Sequence, residues 1–531
     1  MQSFRFSREQ TQLFSDFQLN LVQHQEYYLN FIQRSFSLKG FEHQIKDKQR
    51  QFSASNRTLL FDQLQEQYQS VSIHPLVREH MESLLDANTF TVTTGHQLSL
   101  FSGPLFLIYK IVEVINMAKQ LKEEYPEYNF VPVFWMASED HDFEEVNQVQ
   151  LFQKELNWET DQKGAVGRFH LEGFDEIKQK VLAFFEGKKE MEAWISSFDG
   201  QTYGQAFFHF IHHLFQEYGL ICLDGDRKAF KKAFLPLLEK EISSEFSFQA
   251  VQKTNDLLEK EGIKLQVHAR EVNLFYLDDQ LRSRIIRRDD GFYIEGLGLY
   301  SQAALLDLMN EHPEQISPNV ILRPLYQEFL LPNLCYVGGL GEINYWLQLK
   351  GVFDEAGVLF PMIKPRTSLL YIDEITSKKI EGLELPLEDL FLDKHQLIKK
   401  HIQQKESEAI DFTAMNEVKS KLGDQIKKEI EHYAPSLAAF GASEWVKIEK
   451  SIENIQGKIF KTQKVKHEND VMSIEQMKDR LFPDGGFQER KMSFLSMCGK
   501  GDLHVKLNQL MNAIDPFSSD FILLKETPSV K

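Results

Sequence analysis

Two strand-type segments flanking one helix-length segment constrain the fold of this chain more than any other feature. Residues 89–94 are rich in β-branched side chains and end at Gly95, and residues 130–136 are apolar throughout. Between them, Ser102-Gly103-Pro104 is typical of a helix start. Strands without alternation are typical of parallel sheets covered on both faces. The order therefore predicts an α/β fold with a doubly wound parallel sheet and its chemistry at the strand carboxyl ends.

The other segments predict additions to this core, which we assign to residues 1–374. Residues 1–88 are polar and glutamine-rich with a helical pattern, which predicts two helical arms. Residues 147–218 have mixed charge and weak periodicity and are interpreted as an insertion. Further sheet segments are expected at residues 219–224, at residues 273–277, in a hairpin at Asp289-Asp290-Gly291, and as short strands and turns from Ser317 to Arg366.

The C-terminal third has a different texture, with apolar residues at helical spacing. One such series is Phe412, Met415, Val418, Leu422, Ile426 and Ile430, and a second is Trp445, Ile448, Ile452, Ile455 and Ile459. The second series steps by 3, 4, 3 and 4, which is a heptad seam. With a break at residues 433–441, residues 375–467 are predicted to form an antiparallel helical arm that pairs two subunits through this seam. Residues 468–531, with the apolar piece at 521–524, are expected to pack back on the core.

Charge and composition exclude several classes of protein. The chain has 60 Lys and Arg against 78 Asp and Glu, a net charge of −18, and such a surface repels nucleic-acid phosphates. It contains no apolar run of about 20 residues and no basic segment leading into an apolar one at its start, so neither a membrane span nor secretion is expected. Three cysteines, far apart, form no CxxC pair and fit a reduced cytoplasm.

Three segments could carry chemistry, and the first is the loop Thr94-Gly95-His96-Gln97. It lies between a strand and a helix start, where backbone N–H groups and the helix dipole favour an anion such as a nucleotide phosphate. A turn with only a capping role is the alternative interpretation.

The second segment is the acidic cluster that follows the next strand, from Ser138 to Glu145. Its carboxylates could hold a metal ion, orient a ribose hydroxyl or take a proton from an amine. We expect Asp140 and His141 to point inward, and Glu144 and Glu145 to favour the next helix. Because no second set of His or Cys residues has ligand spacing, no metal ligand is assigned, and a metal requirement is left open.

The third segment runs from Ser317 to Glu342. Arg323 follows an apolar stretch and could bind a carboxylate or phosphate, or simply pair with an acid. Gly338-Gly339 allows close approach of a ligand to the backbone. These glycines are not a dinucleotide fingerprint, and the sequence has no Walker A pattern. Beyond this segment, Lys364 and Arg366 are either substrate-facing or on the surface. Lys491-Met492-Ser493 superficially resembles the lysine-containing loop of class I aminoacyl-tRNA synthetases, but it is discounted because it lies far past the helical region and lacks the rest of that motif.

Four ordered motifs in this sequence resemble one known family. TTGHQLSLFSGPLFLIYK, VPVFWMASEDHDFEEVN, SPNVILRPLYQEFLLPNLCYVGGLGEINYWLQLK and LFPDGGFQER closely resemble the cysteine-adding enzymes of bacillithiol biosynthesis. The resemblance covers about residues 89–490. One departure is His96, where many relatives are expected to carry glutamine.

The resemblance implies a Rossmann-type core related to class I aminoacyl-tRNA synthetases, with connecting-peptide insertions and a coiled coil that pairs subunits into a homodimer. The implied reaction joins the carboxyl of cysteine to the amino group of glucosaminyl-malate, the last step of bacillithiol synthesis. It is an amide-forming ligation (EC class 6), with ATP activating the cysteine carboxyl as an adenylate. Gly95–Gln97 then matches the phosphate position of the synthetase HIGH-type loop. The alternatives are another nucleotidyl-transfer amide ligase, or a coiled-coil adaptor regulated by a nucleotide.

This reading gives three sets of candidate residues. The catalytic candidates are His96, Asp140 and His141. The nucleotide-binding candidates are Thr94, Gly95, His96, Gln97, Gly338 and Gly339. The substrate-binding candidates, which include cations for the malate carboxylates, are Arg323, Tyr326, Glu328, Asn333, Glu342, Lys364 and Arg366.

Overall fold

The computed structural model describes residues 1–152, 154–405, 412–499 and 502–527. The strands are β1 (Gln2–Phe6), β2 (Thr89–His96), β3 (Asn129–Met136), β4 (Gln148–Leu151), β5 (Lys154–Asn157), β6 (Ile221–Asp224), β7 (Leu274–Leu277), β8 (Arg282–Arg288), β9 (Gly291–Ile294), β10 (Gly298–Tyr300), β11 (Ile316–Pro318), β12 (Asn333–Gly338), β13 (Met362–Pro365), β14 (Ser368–Ile372) and β15 (Phe521–Lys525).

The helices, apart from short 3₁₀ turns, follow in chain order. They are α1 (Arg8–Thr11), α2 (Asp16–Gln23), α3 (Leu38–Gln51), α4 (Ala54–Gln67), α5 (Pro75–Ser83), α6 (Leu105–Glu124), α7 (Phe174–Ala183), α8 (Lys189–Ser196), α9 (Tyr203–Phe215), α10 (Lys228–Ser244), α11 (Phe246–Lys260), α12 (Gln302–Glu311), α13 (Arg323–Leu330), α14 (Leu340–Trp346), α15 (Lys350–Ala356), α16 (Glu374–Gly382), α17 (Lys394–Lys405), α18 (Thr413–Tyr433), α19 (Ala438–Lys466), α20 (Glu468–Leu481), α21 (Phe494–Cys498) and α22 (Leu503–Ala513).

The central sheet is parallel and has the order β13-β12-β2-β3-β6. Numbering its strands along the chain gives 3-2-1-4-5, read from the β6 edge, which is the Rossmann order. This confirms the predicted doubly wound sheet. Helix α6 packs on both β2 and β3, with Ile108 and Val112 completely buried. The first strand extends beyond the predicted Thr94 to His96, because β2 pairs with β3 as far as His96 opposite Met136.

A second, antiparallel sheet has the order β10-β9-β8-β7-β11. The predicted hairpin is confirmed, since Arg288 of β8 pairs with Gly291 of β9, and Gly291 has φ +151°, a value that side chains rarely adopt. The prediction of only short strands and turns between Ser317 and Arg366 is wrong in part. Helices α13, α14 and α15 lie there, and Pro324, at the start of α13, favours a helix because its φ is already helical.

The N-terminal segment differs from the predicted pair of helical arms. It contains strand β1 and five helices, and residues such as Tyr28, Leu60 and Leu64 are buried against the core. Strand β15 lies between β1, to which it is antiparallel, and β14, to which it is parallel. The apolar piece at 521–524 thus packs back on the core and joins the two ends of the chain in one sheet. The predicted insertion contains the β4–β5 hairpin and helices α7, α8 and α9.

The helical arm consists of α18 and α19, which pack on each other across a turn at residues 434–437. Gly423 of α18 lies against the ring of Trp445 on α19, so a small residue faces a large one. The predicted helical pair is therefore confirmed. Its apolar residues are not all covered within the chain, because Val418 on α18 and Ile455 on α19 are more than half exposed.

Candidate active site

A cavity of about 1190 Å³ lies at the carboxyl ends of β2, β3 and β12. Strands β2 and β12 are neighbours at the point where the strand order reverses, and open α/β sheets bind their ligands at such a point. Residues from the second sheet, including Phe275 and Arg284, form another part of the wall. The candidate residues that line the cavity are Gly95, His96, Gln97, Asp140, Arg323, Gly339, Glu342 and Arg366. Segments far apart in sequence therefore meet in one place.

Several predicted residues are not brought to this cavity. The hydroxyl of Thr94 donates to the carbonyl of Val337 at 2.7 Å, and Gly338 is buried at the end of β12. Tyr326 is fully buried and donates to the Gly225 carbonyl at 2.8 Å. Their polar groups thus serve strand pairing and core packing, and we withdraw them from the binding set.

Buried polar contacts engage three more of the predicted substrate residues. The amide of Asn333 donates to Glu328 at 2.7 Å and its oxygen accepts from Thr93 at 2.9 Å. Lys364 forms an ion pair with Glu113 inside the core, where Glu113 also accepts from the Thr367 N–H at 2.9 Å. Buried charges are retained only when paired in this way, so Glu328, Asn333 and Lys364 stabilise the core away from the cavity.

Lys110 and Glu342 bridge the two strand ends at the base of the cavity. The Lys110 ammonium donates to the Gly95 carbonyl at 2.7 Å and to the Glu342 carboxylate at 2.9 Å. Glu342 also accepts from the Gly339 N–H at 3.1 Å and from the Tyr336 hydroxyl. Burial alone would raise the pKa of Glu342, but Lys110 and these hydrogen bonds lower it. The Gly339 amide, predicted to contact a nucleotide, is already bound to Glu342.

His96, at the carboxyl end of β2, lines the cavity as a neutral imidazole. Burial, together with the charge of Lys110, lowers the pKa of His96 to about 4. Its Nδ1 lies 2.9 Å from the Gln97 carbonyl oxygen. Because a carbonyl oxygen can only accept, Nδ1 carries the proton and Nε2 has a free lone pair. His96 can therefore accept a hydrogen bond through Nε2.

Asp140 is held as a carboxylate beside the Gln97 side chain. Gln97 Nε2 donates to Asp140 at 2.8 Å, and the backbone N–H of His141 donates to it at 2.8 Å. Although burial opposes ionisation, these hydrogen bonds and the nearby Arg282 hold the pKa of Asp140 well below its usual value. His141 lies outside the cavity lining, half-exposed, and its Nδ1 accepts from Arg282 at 2.7 Å.

The cavity is basic although the protein is acidic. Its lining has seven Lys and Arg residues against four Asp and Glu residues, whereas the whole chain carries −18. The cations are Lys110, Arg270, Arg282, Arg284, Arg323, Arg366 and Arg490, and the acids are Glu139, Asp140, Glu145 and Glu342. A positive pocket in an acidic protein favours anionic ligands. The positive pocket was expected, but only Arg323 and Arg366 of its cations were named from the sequence.

The cavity cations that were not named from the sequence had only weak signals in it. Lys110 and Arg490 each end one of the quoted family motifs, and Arg282 and Arg284 alternate along a strand. The segment around Lys491-Met492-Ser493, discounted for its distance in sequence, lies against the start of α6, where the Met492 carbonyl accepts from the Leu105 N–H at 2.7 Å. This docking brings Arg490 to the cavity.

A second acidic cluster supports the ends of β3 and β6 beside the cavity. Arg168 binds both oxygens of Asp226, at 2.7 and 2.9 Å, and Lys231 pairs with Glu139. Burial, followed by the charge of Asp226, raises the pKa of Asp224 to about 6. Within the described ranges, no group of three or more His, Cys, Asp or Glu residues has the arrangement of a metal site. Among the helices described, none is long and apolar enough to span a bilayer.

The fold and cavity together define a Rossmann-like α/β protein with a basic cavity at its switch point and a helical arm. Comparison with family models identifies which one. The model of the bacillithiol biosynthesis BshC N-terminal Rossmann-like domain matches residues 1–367, and that of the BshC C-terminal coiled-coil domain matches residues 369–526. The chain belongs to the BshC family of bacillithiol biosynthesis.

Curated relatives agree with this assignment over most of the chain. A protein named "Putative cysteine ligase BshC" from Flavobacterium johnsoniae is 37% identical over 496 residues, covering 92% of this chain and 93% of the relative. Its namesake from Christiangramia forsetii is 34% identical, covering 98% of both chains. The Bacillus mycoides relative of that name is 28% identical over 434 residues.

Proposed function

We propose that this protein is a cysteine ligase that joins the carboxyl of L-cysteine to the amino group of glucosaminyl-malate, with ATP activating the carboxyl. The names of the relatives support ligase activity with cysteine. The observation that carries the proposal is the meeting of Gly95, Asp140 and Arg323 in one basic cavity at the switch point. A coiled-coil adaptor would need no such convergence of polar motifs, so this observation favours an enzyme.

The chemistry requires activation because a carboxylate does not react with an amine. In the proposed first step, a cysteine carboxylate oxygen attacks the α-phosphorus of ATP, and pyrophosphate leaves. In the second step, the acceptor amine attacks the acyl carbon of the adenylate, an amide forms and AMP leaves. Fixing both reactants in one cavity supplies the orientation that this sequence needs.

In this proposal the anionic groups of the substrates are bound by the segment Gly95–Gln97 and by the cations that line the cavity. Gly95–Gln97 lies at the carboxyl end of β2 at the switch point, where Rossmann-like sheets bind phosphates. Arg490 also lines the cavity, and its guanidinium has no ion pair or hydrogen bond to the part of the chain that the structure describes. A free guanidinium is a suitable partner for phosphate oxygens.

The attacking amine must be neutral and must lose a proton as the amide forms. His96 Nε2 has a lone pair, since its ring is neutral and Nδ1 holds the proton. Asp140 remains ionised and is therefore a weak base, better suited to holding an ammonium or a hydroxyl group by its charge. We assign to His96 Nε2 the role of accepting a hydrogen bond from the attacking amine, whose released proton passes to solvent, and to Asp140 the orienting role.

Product analysis tests this proposal directly. Purified protein would be incubated with ATP, cysteine and glucosaminyl-malate, and the products followed by mass spectrometry. We expect the cysteinyl amide together with AMP and pyrophosphate. Formation of ADP and phosphate would contradict the adenylate route, and absence of any amide under varied metals and reductants would overturn the ligase assignment.

A further inference from the structure

The arginines that line the cavity fall into two groups, those with protein partners and those without. Arg366 pairs with Glu489 at 2.7 Å, Arg323 donates to Gln327 at 3.1 Å, and Arg282 donates to His141. In contrast, the guanidinium groups of Arg270 and Arg284 make no hydrogen bond or ion pair with any described residue, although both line the cavity. Guanidinium groups left free at a cavity wall are available to an anionic ligand.

Arg284 is directed by the register of the second sheet. It lies two residues from Arg282 on β8, and alternate residues of a strand share a face, so both line the cavity while Ser283 between them is buried. Arg284 pairs across the strands with Phe275, which lines the same wall. Arg282 is stacked 3.9 Å from the Phe275 ring centroid. The wall therefore presents a free guanidinium next to a fixed one.

The backbone of Arg270 is fixed by a buried asparagine. Asn273 accepts from the Arg270 N–H at 3.0 Å and donates to its carbonyl at 2.8 Å. Asn273 is itself completely buried and donates to Ser247 at 2.7 Å and, through its backbone N–H, to Glu241 at 2.9 Å. An exposed guanidinium on an anchored backbone loses less freedom on binding than one on a loose loop.

We propose that Arg270 and Arg284 bind the carboxylates of the malate end of the acceptor and so determine its specificity. The inference rests on the proposed function and deepens it, because it names the residues that recognise the acceptor. A dicarboxylate matches two free guanidinium groups in charge and in hydrogen-bonding geometry. Arg490, the other free arginine, lies beside the start of α6 on the segment that contacts Leu105, and is left for the nucleotide phosphates.

Binding measurements on single variants of the full chain test this assignment. Affinities for glucosaminyl-malate, glucosamine and ATP would be measured by calorimetry for the wild type and for Arg270→Gln, Arg284→Gln and Arg490→Gln. Arg287→Gln is the matched control, because Arg287 lies on the opposite face of β8, over the Phe292 ring and 3.9 Å from Glu245.

We expect each arginine variant to change the affinity for one ligand and not for the other. Arg270→Gln and Arg284→Gln should each weaken the binding of glucosaminyl-malate at least about 10-fold, because each removes one charge-assisted contact. The affinity for ATP should stay within about 2-fold of the wild type. Arg490→Gln should show the reverse pattern, and Arg287→Gln should change neither ligand.

Two different failures can be told apart. If the wild type binds glucosaminyl-malate no better than glucosamine, the proposed acceptor is wrong, and the dicarboxylate subsite is wrong with it. The wild type could instead prefer glucosaminyl-malate while Arg270→Gln and Arg284→Gln keep that preference, or lose affinity for ATP. In that case the assignment of the dicarboxylate subsite is wrong, and the proposed ligase function is unaffected.

Discussion

Burial gives single side chains at this cavity properties that differ from those in water. His96 stays neutral because its buried ring lies near the Lys110 ammonium, and Lys110 in turn holds Glu342 as a carboxylate. Such shifts are common where groups must act on a bound ligand. The charge state of each group is therefore set by neighbours that the local sequence does not contain.

Substitution of His96 tests the acceptor role of its Nε2 atom. His96→Gln should keep amide formation within about 10-fold of the wild type, because the glutamine amide oxygen can still accept from the amine. His96→Phe, which keeps a ring but has no acceptor, should lower kcat by about 100-fold or more. Steady-state kinetics with the acceptor varied would measure both.

The two substitutions could also behave alike. Equal and large losses for glutamine and phenylalanine would show that the imidazole must take up the proton itself. Equal and small losses would show that His96 has no part in the reaction.

Asp224→Asn should stabilise the protein in a pH-dependent way. The pKa of Asp224 is about 6 in the folded protein and near 3.8 when exposed, so the folded state binds more protons between these values and its stability falls as pH rises. Asparagine can still accept from Ser138 and from the Asp226 N–H without carrying a charge. The gain should be about 1–2 kcal/mol above pH 6 and absent near pH 4.

Thermal melts across this pH range would measure the gain. A difference in Tm that is the same at pH 4.5 and pH 7.5 would show that the charge of Asp224 is not the cause.

At the scale of elements, only part of the heptad seam on α19 is covered by other residues of the same chain. Trp445 packs on Gly423 of the neighbouring helix, whereas Ile448, Ile455 and Ile459 of the same seam are 39%, 53% and 40% exposed. Large aliphatic residues repeated along one helix face are stabilised when a second surface covers them. The predicted pairing of two subunits through residues 445–459 would supply that surface.

Charged substitutions on this seam test the pairing. The double variant Ile448→Lys and Ile455→Lys should shift the protein from dimer to monomer in light scattering, because each lysine would place a charge inside the apolar contact. Lys447→Glu, on an exposed position of the same helix, is the control. A wild type that is monomeric at high concentration would contradict the prediction.

At the scale of the whole molecule, β15 couples the two ends of the chain. It lies between β1 and β14, so residues near positions 5, 370 and 523 share one sheet. Its residue Leu523 is completely buried within a second core cluster that also contains residues of α17 and α20. The stability of the region next to the arm therefore depends on the last described strand.

Leu523→Ala should destabilise the protein by about 2–5 kcal/mol, since it removes a buried leucine and leaves a cavity. Val505→Ala, at a half-exposed position on α22, should cost less than about 1 kcal/mol. Denaturant unfolding of both variants would measure the difference. Similar small losses for the two would show that β15 can detach without loss of the fold.

The elements with strong local patterns were the ones that sequence reasoning predicted well. The strands β2 and β3 and the helical pair α18–α19 are where the local sequence pattern placed them. Strand β1 and helix α13 were missed, because β1 is held by pairing with a strand more than 500 residues away and α13 follows a segment that also reads as a strand.

The sequence by itself determined the parallel sheet, the helical arm and the segments that supply the candidate site, because periodicity and turn residues act over a few neighbouring positions. Only the tertiary structure decided which charged groups are free to act. Lys364 and Arg366 were both candidates, but Glu113 and Glu489 neutralise them from distant segments, whereas Arg270 and Arg284 have no such partner among the residues described. The reason is physical: the charge and availability of a side chain depend on the groups within a few ångströms of it, and folding brings those groups from anywhere in the chain.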